Sequence, residues 1–246
     1  MASITQAVED YLKAVWKLSH RGRRVSVGEI AEHLSVSAPS VTGMVQRLKG
    51  MQLLEYAPRA GVSLTPRGRR IALEIVRHHR LWELYLHTRL GLPLDAVDAE
   101  AERLEHVMSD RMEQQLTRLL GDPTHDPHGD PIPSRDGSLE PLRAIPLAEL
   151  RTGQRAVVAH VSDRSPEKLR AIVAVGLVPG ARVLALPGTA TRGALALRVG
   201  RRRCVLAREL AQRVHVREVT PPRGSPAAPA RASGRRAASS SRGRAR

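Results

Sequence analysis

The chain has 246 residues, enough for about two domains, with 41% apolar residues, 2% aromatics, no Phe and a single cysteine, Cys204. One cysteine excludes an internal disulfide framework and a cysteine-built zinc site, and no apolar run approaches the ~20 residues a membrane-spanning helix needs. The formal net charge of +16 points to a polyanionic partner; seven arginines and no acid fall in 221–246, leaving the rest of the chain at about +9.

The first ten residues carry neither a charged n-region nor an apolar h-region, so no secretory signal is expected and the chain reads as cytoplasmic. A first helix is expected from Ile4 to Ser19, with Ile4, Val8, Tyr11, Leu12, Val15 and Trp16 as its apolar stripe and Asp10 beside it. Val27–Leu34 reads as a short amphipathic helix, Ser35 and Val36 as a turn, and Ser37 as the cap of a second helix with Pro39 in its first turn. Val41, Met44, Val45 and Leu48 share one face of that helix. Pro39, Thr42, Gly43, Gln46 and Arg47 share the other, which is small and polar near Ser37 and Ser40 and basic at Arg47. Small residues let a backbone approach base edges in a major groove, and the arginine reaches phosphate. A hairpin follows, Leu53–Ala57 and Val62–Thr65, with Arg59 at its tip placed to reach a flanking phosphate or minor groove. The pattern is a winged helix-turn-helix; its plain alternative is a three-helix bundle with a hairpin.

Pro66–Leu90 is expected as one long helix with Ile71, Ala72, Ile75, Val76, Trp82 and Leu86 on a buried face. His79 and Glu83 fall inside that stripe, four residues apart. A buried carboxylate and imidazole are costly unless satisfied by an ion pair or a cation. The next helix is expected from Leu94 to Leu120, with Val97, Ala101, Leu104, Val107 and Met108 inward and Glu102, Glu105 and His106 on the opposite face. Acids at this spacing form either a solvated face or, with His79, Glu83, Asp98 and Asp10 from neighbouring elements, a divalent-metal centre. Carboxylates and imidazoles without thiolate suit manganese or ferrous iron better than soft metals.

Residues 121–141 form a Pro-, Gly-, Asp- and His-rich loop, in which His125 and His128 read as parts of a hinge, with surface metal scavenging as the alternative. Residues 142–219 are short Val- and Leu-rich runs broken by Gly and Pro, as in a small barrel, with Cys204 as a small core residue. Residues 220–246 have almost nothing to bury and are expected to be disordered.

Glu9-Asp-Tyr-Leu12, the helix-turn-helix, Arg77-His-His-Arg-Leu81, Glu105-His-Val-Met-Ser-Asp110 and the loop Pro127-His-Gly-Asp-Pro-Ile-Pro133 resemble the diphtheria toxin repressor family of metal-dependent regulators, over about residues 5–220. The resemblance implies a mainly α chain: a winged helix-turn-helix domain at 1–65, a helical metal-binding and dimerisation domain with a hinge loop at 66–141, an SH3-like β-barrel at 142–219 and a disordered Arg-rich tail at 220–246. It implies a regulatory metal site of Asp10, Glu102, Glu105 and His106, and an ancillary site of His79, Glu83 and Asp98. Iron-responsive members carry Met and Cys where this chain has Asp10 and Glu102, so it looks like the manganese branch. Short manganese regulators carry another acid one turn after the aspartate, where this chain has Lys13. In three-domain members the barrel lends a ligand, for which Glu167 is the candidate.

The expected function is a manganese-dependent, homodimeric repressor of metal uptake genes on a palindromic DNA operator, with iron as the alternative signal. No enzyme activity, small-molecule substrate or membrane partner is expected. A metallohydrolase is the rival from another class, but the chain has no His-Glu-x-x-His, nucleophile elbow or phosphate-cradling Gly loop. A metal-blind winged-helix factor is the third reading.

Overall fold

The computed structural model describes residues 4–19, 22–187 and 193–220, and the expected disordered tail lies outside them apart from Thr220. Helix α1 spans Gln6–Leu18, α2 Val27–Leu34 and α3 Ala38–Gly50, followed by strands β1 Leu54–Ala57 and β2 Gly61–Leu64. Local chemistry sets these boundaries. Ser26 and Glu29 form a reciprocal capping box on α2, and Ser35 ends that helix in the left-handed conformation. The Ser37 hydroxyl accepts the Ser40 N–H at the start of α3. Val8, Leu12, Val15, Ile30, Val41, Val45, Leu48, Leu53 and Val62 bury a common core. The two strands pair antiparallel, Leu54 opposite Leu64, and the connection between them places Arg59 at positive φ, exposed.

Helix α4, Pro66–Leu90, is the spine of the middle region and matches the sequence expectation from end to end. Thr65 caps it and Gly91 closes it in the left-handed conformation. It packs against β1 so closely that a Cβ on Gly68 would lie 2.0 Å from the Leu53 carbonyl oxygen.

The expected helix Leu94–Leu120 is instead three pieces: α5, Val97–Leu104, a 3₁₀ turn at Glu105–Val107, and α6, Asp110–Leu119. Ser109 is the reason. Its side chain accepts the Met112 N–H and starts a new helix, with Asp110 and Glu113 in the first turn. The break reverses the expected facing of two residues: Glu105 is fully buried and Val107 is 71% exposed.

Beyond the loop, strands β3 Ile145–Pro146, β4 Arg155–Val161, β5 Arg182–Ala185, β6 Ala194–Val199, β7 Arg202–Ala207 and β8 Val214–Thr220 form one antiparallel sheet in the order β3-β8-β4-β5-β6-β7. Helix α7, Pro166–Ala174, follows β4, and the short α8, Arg208–Ala211, follows β7. The sheet wraps a core of Leu147, Val158, Val161, Leu169, Ile172, Leu177, Leu197 and Val214, with half-buried Cys204 against it. The expected barrel is not closed. Its first strand is two residues long, which leaves too few ladder bonds to seal the circle against β7.

The loop between α6 and β3 is not a loose hinge. The Val161 N–H donates to the His128 carbonyl, and Gly129, at φ +93°, lies so near β4 that a Cβ would sit 1.9 Å from the Ala159 oxygen. Arg80 donates to the Pro131 carbonyl at 2.6 Å and stacks 5.6 Å over the Trp16 ring, joining loop, α4 and α1.

Candidate functional site

Four three-residue donor clusters occur among the described residues: Asp10–Glu105–His106, His79–Glu102–Glu105, His79–Glu83–Asp98 and Glu83–His128–Asp163. They form a continuous acidic seam. It runs from α1, through the end of α5 and the 3₁₀ turn, past α4 to the loop and the residues after β4.

At one end His106 joins α1 to the 3₁₀ turn. Its Nδ1 lies 2.6 Å from Glu9 Oε2, and its Nε2 lies 2.9 Å from Asp10 Oδ1 and 3.4 Å from Glu105 Oε1. Glu9 therefore holds the ring through Nδ1 and leaves Nε2 facing Asp10 and Glu105. Buried Nε2 has no hydrogen-bond partner. A carboxylate behind a ligating imidazole is the usual way to set tautomer and orientation at a metal. Burial raises the Asp10 pKa above its ordinary value, partly offset by His106.

The second cluster already holds a cation. Lys13 is buried on α1, and its ammonium donates to Glu105 at 2.7 Å (Oε1) and 2.6 Å (Oε2) and to Glu102 Oε2 at 2.6 Å, with His79 Nδ1 3.2 Å away. It touches every member of the His79–Glu102–Glu105 set. Burial pushes the Glu105 pKa up, but the His79 hydrogen bond and the Lys13 charge outweigh it and hold the carboxyl ionised below its usual range.

His79 stands between the clusters. Nδ1 is 2.6 Å from Glu105 Oε2, while Nε2 faces Asp98 Oδ1 at 3.2 Å and Glu83 Oε1 at 3.5 Å in ion-pair range but without hydrogen-bond alignment. Burial opposes its protonation, yet Glu83, Asp98 and Glu105 together lift its pKa to about 10. The close approach of His79 is the main cause that holds Asp98 near 2.

At the far end Glu83 Oε1, 1% exposed in its side chain, lies 3.4 Å from the Nδ1 of equally buried His128. His128 Nε2 is tied to the Leu94 carbonyl at 3.0 Å, so Nδ1 is the free face of the ring. Both Glu83 Oε1 and His128 Nδ1 are buried without a hydrogen-bond partner. A buried, unpartnered carboxylate oxygen aimed at an unpartnered imidazole nitrogen costs several kcal/mol unless a cation or proton lies between them, on the order of 1–3 per group. The unsatisfied nitrogens and oxygens at both ends, all hard or borderline donors, fit a divalent ion.

The seven metal ligands expected from sequence all lie in the seam, although Glu102 and Asp98 remain half-exposed in their side chains. Two further donors lie in the seam: His128, expected in a hinge but fully buried, and Asp163, which reaches it from the end of β4 and was not singled out in the sequence; Glu167 is exposed and joins none of these clusters. The signal for His128 was its place in the Pro-His-Gly-Asp-Pro loop, where Asp126 accepts the backbone N–H of both His128 and Asp130 and fixes the turn. Glu9 and Lys13 were legible as charges one turn apart but not as partners of a helix about 90 residues away.

On α3, Ser37, Pro39, Ser40, Gly43, Gln46 and Arg47 are exposed and Thr42 is half-buried, while Val41, Val45 and Leu48 are buried. The expected outward face is the observed one, and Arg59 at the wing tip is exposed as well.

A winged helix-turn-helix joined to an acid- and imidazole-lined centre defines a metal-dependent DNA-binding regulator. Residues 3–62 match the iron dependent repressor N-terminal DNA binding domain, residues 65–134 the iron dependent repressor metal binding and dimerisation domain, and residues 145–218 the FeoA domain. The iron-dependent repressor IdeR of Mycobacterium leprae is 35% identical over 196 residues, covering 74% of this chain and 85% of the relative. IdeR of Mycobacterium bovis is 32% identical over 232 residues, covering 89% of this chain and all of the relative. A solved manganese-dependent transcriptional repressor in complex with manganese superposes with a TM-score of 0.76 at 34% identity, covering 85% of this chain and 98% of its own. The chain belongs to the iron-dependent, or diphtheria toxin, repressor family, whose members here are transcriptional repressors rather than enzymes. Among the described residues no helix is long and apolar enough to cross a membrane.

Proposed function

We propose that this repressor takes manganese as its corepressor, binds a palindromic operator as a homodimer and controls metal uptake genes. The observation that carries the reading is the convergence of Asp10 from α1 with Glu105 and His106 from the 3₁₀ turn, His106 being oriented by Glu9. Asp10 and Glu102 offer oxygen where iron-responsive members offer sulfur. Affinity alone favours later transition metals, so the spacing of hard donors has to select.

The regulatory position is Asp10, Glu105 and His106, with Glu102 at its edge. The ancillary position is centred on Glu83. Two clusters compete for that carboxylate, His79–Asp98 and His128–Asp163. His79 is engaged by Glu105 on Nδ1 but keeps Nε2 without a hydrogen-bond partner beside Glu83 and Asp98, and His128 likewise keeps Nδ1 unpartnered on Glu83. We therefore place the ancillary ion on Glu83 between the two pairs, with His79 and Asp98 on one side and His128 and Asp163 on the other.

A bound divalent ion supplies the positive charge that lets these acids sit together. Asp10 moves with the DNA-reading unit, whereas Glu105 and His106 move with the dimerisation region. Their shared ligation fixes α1, and with it α3, relative to the dimer. Two recognition helices must be presented one helical turn apart, ~34 Å, to read a palindrome. Loose and DNA-competent arrangements are thereby shifted toward the second. Met112 and Leu119, 46% and 53% exposed on one stripe of α6, together with Val107, offer an apolar surface for the second copy.

The test is operator binding with manganese, iron(II), cobalt and zinc titrated from chelator, in wild type, Asp10→Ala and Glu102→Ala. Binding that needs manganese and weakens in both variants supports the reading. Undiminished metal-dependent binding by both variants rejects the site, equal affinity in chelator rejects the corepressor, and activation by iron alone transfers the signal to iron.

A further inference from the structure

Among the residues whose side chains are described, the outward face of the C-terminal sheet carries arginine and no acid. Alternation along the strands puts Ala156, Val158, Val183, Ala185, Leu197 and Val199 inward. Arg155, Arg182, Arg198, Arg203 and Arg217 are all exposed at outward positions. The register aligns them. Arg155 stands opposite Leu184, Leu184 opposite Arg198, and Arg198 directly opposite Arg203, making one row across β4, β5, β6 and β7. A second row runs Arg217–Val157–Arg182 across β8, β4 and β5. An open depression of about 510 Å³ lies between Arg155, Arg182 and Arg198, floored by Val157 and Leu184.

Among the described residues none of these five arginines has an ion-pair partner, and no acid occupies an outward position on β4 to β7 or on β8 up to Arg217. Like charges directly across a ladder destabilise the pair, so Arg198 against Arg203 works against the sheet unless an anion joins them. With strands ~4.8 Å apart, the four-strand row spans about 15 Å. Duplex DNA presents one phosphate charge per ~1.7 Å of axis along such a length. Arginine is the residue whose planar fork suits phosphate oxygens, and the floor between the arginines is too small and too polar at its rim for an apolar partner helix.

We propose that this sheet face is a second DNA surface, which grips the phosphate backbone of duplex DNA without reading its sequence. It adds affinity and salt dependence to what α3 and the wing contribute, and it does so whether or not the metal centre is filled. The inference therefore does not depend on the identity of the corepressor.

The test compares full-length wild type with R155Q/R182Q/R198Q/R203Q on an operator duplex and on a scrambled duplex, in manganese and in chelator, over a range of salt. Each phosphate contact removed lowers the log–log salt slope by about 0.9, so a loss of roughly 2–4 is expected, with affinity for both duplexes falling by a similar factor and their ratio unchanged. The four-lysine counterpart retains most of the slope. Removing like charges should leave the melting temperature equal or higher, and R198Q/R203Q alone should give about half the change if the fourfold variant folds poorly. An unchanged slope on both duplexes overturns the proposal. So does a variant that binds DNA normally but loses binding to phosphatidylserine vesicles, which would assign the patch to a membrane.

Discussion

His106 gives each of its ring nitrogens to a different acid of the same helix: Nδ1 meets Glu9 at 2.6 Å and Nε2 meets Asp10 at 2.9 Å. Two adjacent residues of α1 thus divide the work of holding and completing one ligand. Replacing Glu9 with Ala removes the group that fixes the tautomer while leaving every proposed ligand in place. Manganese affinity at the regulatory position should fall about 10–100-fold, and the manganese midpoint for operator binding should rise in step. Glu9→Gln, which can still accept the Nδ1 proton, should lose less. Calorimetric titration checks this, and an unchanged midpoint for Glu9→Ala would show that His106 is not a ligand.

Lys13 sets a second expectation. Its ammonium fills the space between His79, Glu102 and Glu105, where an ion would otherwise share the Glu105 carboxylate with the regulatory position. Paired metals bridged in this way sit ~3.5–4 Å apart. Wild-type protein should give the resonance spectrum of isolated manganese ions. Lys13→Gln should take up one further ion per chain and show spin coupling. In chelator it should be less stable than wild type, because two carboxylates lose a buried partner. Equal stoichiometry in the two proteins would refute the role given to the lysine.

Gly129 decides whether the loop can dock on β4. A methyl group there meets the Ala159 carbonyl at 1.9 Å, in a backbone conformation that L side chains avoid. Gly129→Ala should cost at least about 2 kcal/mol in thermal unfolding and should also release the neighbouring His128, with loss of the ancillary ion. Gly137→Ala, which shares the positive φ but meets only a Leu73 methyl at 3.9 Å, should leave the ion in place.

The buried ion pairs give the metal-free chain a definite pH signature. His79 has its pKa raised to about 10 from an ordinary 6.5, so its contribution is complete below 6.5 and is lost as pH rises through 10. Asp98 is lowered to about 2 from 3.8, so its contribution is complete above 3.8 and is lost as pH falls through 2. Unfolding in chelator should show highest stability between these limits. His79→Gln should flatten the alkaline limb. A wild-type alkaline limb with no slope between pH 7 and 10 would contradict the ion-pair assignment.

Much of this molecule was legible in its sequence because local chemistry and burial agree there. Thr65, Pro66 and Gly91 mark both ends of α4, and Ser37 with Pro39 starts α3 where capping rules place it. The i, i+4 spacing on α4 also brought His79 and Glu83 to one buried side. The errors fall where a weak local signal decides a large consequence. Ser109 looked like one polar residue in a long amphipathic run, yet as a cap it breaks the helix and turns Glu105 into the core. His128 and Asp163 come from a loop and a strand end whose meeting with α4 depends on Gly129 fitting against Ala159, a contact with no periodic trace. The open sheet follows from a first strand of two residues, a length that Val- and Leu-rich runs do not reveal.

Anomalous diffraction at the manganese edge, from crystals of the loaded protein, bears most directly on the claim that donors from distant segments converge on a divalent ion. Two peaks per chain are expected, one among Asp10, Glu105 and His106 and one beside Glu83 among His79, Asp98, His128 and Asp163, with Lys13 still seated on Glu105. Peaks confined to exposed acids, or no peak at either position while the protein binds its operator, would contradict it.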